Sequence, residues 1–142
     1  MNIWKGTMIA LLAVFVATPA LADKINFAAA MSGKDQVPAN QTAGSGSATA
    51  TYDTQTRMLT WEVQYKGLTG PITAAHFHGP AAAGANAGVV VPIGKTGDAS
   101  PMKGTATLTE AQAADLMAGR WYVNVHTDAN KGGEIRGQVM KK

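Results

Sequence analysis

The chain has 142 residues, with 12 basic and 9 acidic side chains, a formal net charge of +3 and no cysteine. That length suits one domain around one core, and the missing cysteines exclude disulfides and thiolate metal sites. The basic residues are scattered apart from Lys141-Lys142, so the Lys/Arg stripe of a nucleic-acid binder is missing and no nucleic-acid partner is expected.

Residues 1–22 carry the pattern of a cleaved export signal. Lys5 supplies a positive start, Met8 to Val16 an apolar run, and Ala20-Leu21-Ala22 a small-x-small cleavage site. The apolar run is shorter than the about 20 residues a membrane span needs. The expected mature protein is therefore a single domain, residues 23–142, in the periplasm or secreted, with no membrane attachment after cleavage. Without disulfides, such a domain relies on core packing, and a bound metal is one available aid.

From Asp23 onward the chain reads as short strands separated by turn residues. Lys24 to Met31 is the first strand, ended by Ser32-Gly33, and Lys34 to Thr42 is a loop containing Pro38. Gly44 to Tyr52 alternates small and β-branched residues, as a strand packed closely on a neighbour would. After the turn Asp53-Thr54-Gln55-Thr56, the stretch Arg57 to Tyr65 places Leu59, Trp61, Val63 and Tyr65 on one face and polar residues on the other. Ile72 to His78 is the next strand. Gly79 to Gly88 is a Pro/Gly/Ala/Asn loop long enough to arch over a site. Val89 to Ile93 follows, and Pro92 points to an edge or a bulge.

After a short strand over Met102 to Leu108 comes the single helix signal. Thr109 and Gln112 form a capping box, Glu110 suits the N-terminal dipole and Gly119 suits the position after the helix. The helix is expected over Glu110 to Ala118, crossing from one sheet edge to the other. Arg120 to Thr127 and Glu134 to Met140 then pair as a hairpin across an Asn/Gly-rich turn. About eight strands with regular turns and one short helix predict an all-β fold: an antiparallel Greek-key β-sandwich, immunoglobulin-like or superoxide-dismutase-like.

The candidate site rests on the chain's three histidines. His76 and His78 flank Phe77 in a strand, so period-2 alternation puts both imidazoles on one face, about 7 Å apart along the strand, and Phe77 on the other. His126 lies in the strand Trp121 to Thr127 and completes the set if that strand is a neighbour. Three imidazole nitrogens suit Cu(II), Cu(I) or Zn(II); copper ranks first and zinc second. Asp128, water, Met31 or Met102 are candidates for a further ligand. Asn124 shares a face with His126 and is placed to hydrogen-bond a ligand ring or a loop. Glu134 and Arg136 share a face of the last strand, where a salt bridge closing the hairpin end is preferred over a role in guiding anions or orienting a histidine.

These residues together carry a family signature. It runs Phe27…Met31-Ser32-Gly33…Gln36-Val37-Pro38, Gly44-x-Gly46, Ala75-His76-Phe77-His78-Gly79-Pro80-Ala81, Tyr122-Val123-Asn124-Val125-His126-Thr127 and Gly133-Glu134-Ile135-Arg136-Gly137-Gln138. In these motifs and their order the chain resembles the CHRD domain, a module named from chordin and also found singly in secreted bacterial proteins. In chordin the module belongs to a protein that sequesters growth factors. A weaker, architectural resemblance links the H-x-H pair and the late Val-His to the copper ligands of copper–zinc superoxide dismutases. The chain departs from that pattern, lacking the bridging fourth histidine, a zinc cluster and the disulfide.

The preferred function is periplasmic or secreted copper binding for storage, buffering or delivery, with His76, His78 and His126 as the metal ligands. A dismutase-like copper enzyme and a metal-free adhesion or ligand-binding module are the alternatives. Binding is preferred to catalysis because the metal set is only three histidines, no proton-delivery group is identifiable, and likeness of fold alone carries no activity. No nucleophile elbow, phosphate loop or acid pair suited to glycoside chemistry is found in the sequence. Besides the metal ion, the expected partner is a copper-delivery protein or a second copy pairing through an edge strand such as 89–93.

Overall fold

The computed structural model describes residues 22–142. The export signal expected over 1–22 therefore lies, except for Ala22, outside the described residues. Eight strands follow in chain order: β1 Lys24–Ser32, β2 Ser45–Asp53, β3 Met58–Lys66, β4 Ile72–His78, β5 Val89–Lys95, β6 Met102–Thr107, β7 Trp121–Thr127 and β8 Ile135–Lys141, with helix α1, Glu110–Met117, before β7. Every neighbouring pair is antiparallel, and the order across the sheet is β5-β4-β7-β8-β1-β2-β3-β6.

The all-β expectation holds, with one refinement. The eight strands form one continuous sheet that curls until its edges, β5 and β6, approach each other, with Met102 of β6 packed on Gly94 of β5. Curling buries one face of every strand against the others, which a flat sheet of this size cannot do alone. β7 returns past the β4–β5 hairpin to lie beside β4, the non-local step typical of Greek-key connections. Among the described residues, no helix is long and apolar enough to cross a membrane.

Local chemistry explains the elements. Leu59, Trp61 and Val63 of β3 all point into the core, as their alternation predicts. Trp61 meets Phe77 edge-on, ring centroids 5.6 Å apart at 83°, and Phe77 lies 5.8 Å from the Trp121 ring. Such aromatic contacts add to the area they bury. The helix is held by the expected capping box: Gln112 N donates to Thr109 Oγ1, and Thr109 N donates to Gln112 Oε1. Its inner side buries Ala113 and Leu116, and it stops one residue before Ala118, with Gly119 following at φ +69°. Pro92 sits in an edge strand whose pairing with β4 slips twice, on either side of Phe77; the edge location removes the demand for its missing N–H.

β7 is buried on both faces. Trp121, Val123 and Val125 face the apolar core, while Tyr122 and Asn124 on the outer face are also buried. The outer face carries a second, polar layer of His78, Tyr122, Asn124 and Arg136. Loop 79–88 contributes to it through Ala85, Asn86 and Ala87, which bond to those side chains. The candidate site lies in this layer.

Candidate metal centre

Sheet register assembles the three histidines. β4 and β7 pair with His76 opposite Asn124, His78 opposite Tyr122 and Ala74 opposite His126. All six share the outer face by alternation. The small Ala74 side chain beside His126 lets that ring lean along the face towards His76. The rings of His76 and His126 are 5.1 Å apart and those of His76 and His78 5.4 Å apart. One nitrogen from each histidine lies within 4.8 Å of the others. Phe77 points into the core, as alternation predicts.

The closest contact is His76 Nδ1 to His126 Nε2, 3.2 Å. His126 Nδ1 donates to the Lys131 carbonyl oxygen at 2.8 Å, so its Nε2 presents a lone pair. In the metal-free protein that lone pair accepts the Nδ1–H of His76. Two nitrogens bound to one tetrahedral ion at ~2.0–2.1 Å are about 3.3 Å apart. An ion can therefore replace the shared hydrogen with little movement of either ring, as the His76 proton transfers to its other nitrogen. His78 is set further back, and its ligating nitrogen must approach by about 1.5 Å to reach the same spacing.

Electrostatics favour neutral rings at His76 and His126. Burial, with His126 and His78 adding to it, pushes the His76 imidazole down to about 4. Burial also lowers His126; its bond to the Lys131 carbonyl opposes this and His78 adds to it. Neutral imidazole is the form that binds metal.

The surroundings hold His78 firmly. Its ring stacks on Tyr122, centroids 4.8 Å apart at 2°. Its Nδ1 lies 2.9 Å from the Ala87 carbonyl and its Nε2 3.0 Å from Asn124 Oδ1. Ala87 is pinned in turn, its N–H donating to the Tyr122 hydroxyl and its carbonyl accepting from it, each at 3.1 Å. Asn124 thus meets the ring of a candidate ligand, as its parity with His126 predicts. Loop 79–88 reaches the site at His78 and Tyr122 through Ala87, and Arg136 holds it at Ala85 and Asn86.

Three expectations are corrected. Glu134 and Arg136 do not pair. Arg136 donates to Asn86 Oδ1 at 2.9 Å and to the Ala85 carbonyl at 2.6 Å, with its guanidinium over the Tyr122 ring. Glu134, fully buried, instead accepts from Thr42 Oγ1, Thr69 N, Thr69 Oγ1 and Thr127 Oγ1 at 2.6–2.9 Å. Burial alone would raise its carboxyl; these bonds outweigh it and hold it at about 2. Met31 and Met102 are core residues, on the side of the sheet away from the histidines. Asp128 is exposed and does not belong to the histidine group.

Sequence reasoning missed the Ala87 and Lys131 carbonyls. Backbone acceptors in irregular segments leave no residue-type signal. Alternation allows only one of Trp121 and Tyr122 at the site, and it is Tyr122 that stacks on His78.

Fold and site define a class: an antiparallel β-domain curled into a near-barrel, with a three-histidine cluster on its outer face. The family model of the CHRD domain matches residues 27–139, and the chain belongs to that family. No curated protein and no solved structure matches it.

Proposed function

We propose that this protein is a periplasmic or secreted metal-binding protein that holds one copper ion on His76, His78 and His126. Zinc is the second choice, and the role is storage, buffering or delivery. The observation that carries this reading is the 3.2 Å approach of His76 Nδ1 to His126 Nε2, close to the spacing of two nitrogens on one ion. Copper is placed first because nitrogen donors bind Cu(II) more tightly than Zn(II). His76 and His126 are only half-buried, so an ion between them would keep a side open for water or for a donor on a delivery partner. Export is supported by the pattern of residues 1–22 and by the occurrence of the family in secreted proteins. Edge strand β5 is the surface on which a second copy would pair.

The deciding experiment is metal analysis of the protein isolated from its native compartment without added metal. The expected result is one copper per chain, lost in His76→Ala and His126→Ala. A metal-free protein whose melting temperature ignores added copper would instead establish the metal-free module.

A further inference from the structure

Two buried amides and a histidine on the outer face are in conflict. His78 directs both ring nitrogens at oxygen atoms, Nδ1 at the Ala87 carbonyl and Nε2 at Asn124 Oδ1. A neutral imidazole has a single N–H and can satisfy only one of them. Gln36 is 6% exposed, and its Nε2 is buried with no hydrogen-bond partner. That nitrogen and Asn124 Nδ2 border the same small space beside Gly133, where a Cβ would run into Gln36 Nε2 and lie 2.9 Å from Asn124 Nδ2. Two donors therefore face the space beside Gly133, one of them without a partner, while the Asn124 acceptor is spent on a ring that is already donating elsewhere.

A half-turn of the Asn124 amide about its Cβ–Cγ bond removes both conflicts. Its nitrogen then faces the Nε2 lone pair of His78, and its oxygen turns towards the side on which Gln36 Nε2 lies. The Ala87 carbonyl can only accept, so Nδ1 keeps the ring proton. We propose that Gln36, Asn124 and His78 form a side-chain relay that fixes His78 as its Nδ1–H tautomer and reserves Nε2 for the metal. An entering ion takes Nε2 over from the Asn124 amide.

The relay rests on the metal-binding reading above and adds an order of events to it. The His76–His126 pair captures the ion first, and His78 joins as Asn124 lets go. Gln36 and Asn124 are positioning residues. Gly133, at φ +122°, supplies the space in which their amides meet.

The first test uses the metal-free protein. Long-range nitrogen–proton NMR of the histidine rings should show His78 as the Nδ1–H tautomer in wild type. In Gln36→Met, where nothing orients the Asn124 amide, the tautomers should be mixed. The second test is titration with cupric ion. Gln36→Met should bind about fivefold more weakly, Asn124→Leu about fivefold more tightly, each about the worth of one hydrogen bond. The double variant should behave like Asn124→Leu. A merely structural role would weaken binding in both single variants and add in the double.

Both single variants shifting affinity the same way, or neither shifting it, overturns the relay. If Asn124→Leu does not fold, the tautomer comparison of wild type with Gln36→Met decides by itself. A wild-type protein that binds copper but carries His78 in another protonation state refutes the relay directly. One that shows the expected tautomer yet binds no copper brings the proposal down through the metal reading instead.

Discussion

The guanidinium of Arg136 lies over the ring of Tyr122, its Cζ 3.5 Å from the ring centroid. Tyr122 also stacks in parallel on His78, so cation, phenol and imidazole form one continuous pile. The same guanidinium holds Ala85 and Asn86 of the covering loop. One side chain thus supports both the ring beneath a candidate ligand and the segment above it.

Arg136→Lys should therefore not be a mild change. Lysine keeps the charge but loses the planar stack and the forked donors. The expected cost is about 1–3 kcal/mol, from a weakened cation–π contact and loop carbonyls left unpaired. Chemical denaturation of wild type and variant reads it out.

The three histidines should not contribute equally. His76→Ala and His126→Ala each remove half of the 3.2 Å pair and should weaken copper binding by more than the about 10–100-fold that loss of an outer-sphere partner costs. His78→Ala should retain weak binding by the remaining pair. Isothermal titration of the three variants measures the ranking. In wild type, free copper at 100 times Kd should add about 2.7 kcal/mol of stability.

Acid should destabilise the fold in two windows. His76 is lowered from 6.5 to about 4, so between those values the unfolded chain binds more protons and stability falls as pH drops. Glu134 is lowered from 4.5 to about 2, and the stability it contributes is lost over that lower range by the same reasoning. Urea titrations from pH 7 to pH 3 should show both slopes. His76→Ala should flatten the upper one and Glu134→Gln the lower. Because His76 stays neutral well below 6.5, copper affinity should decline later on acidification than a free imidazole would predict.

Gly137→Ala tests the seam between β8 and β1. A Cβ at Gly137 would run into the Ala30 carbonyl oxygen, and backbone atoms cannot step aside as a flexible side chain does. The expected loss is about 1–3 kcal/mol, the usual cost of overpacking, with the histidine site left intact. Thermal melting with and without copper separates the two effects.

The sequence by itself determined what depends on near neighbours in the chain. Alternation marked the inward residues of β3 and put His76 and His78 on one face. The pairing of Thr109 with Gln112, with Gly119 behind, bounded the helix to within one residue. The motifs that place the chain in its family are likewise local strings.

Only the tertiary structure decided which strands lie side by side. His126 reaches His76 because β7 crosses back to pair with β4, a choice made by burial of the whole sheet and not by any residue near His126. The same packing separated Glu134 from Arg136 although they lie two residues apart. Glu134 found a ring of threonine hydroxyls from other segments, and Arg136 found Tyr122 and loop 79–88. A buried charge takes whichever partners desolvation leaves within reach, and those partners come from segments that only the folded chain brings together.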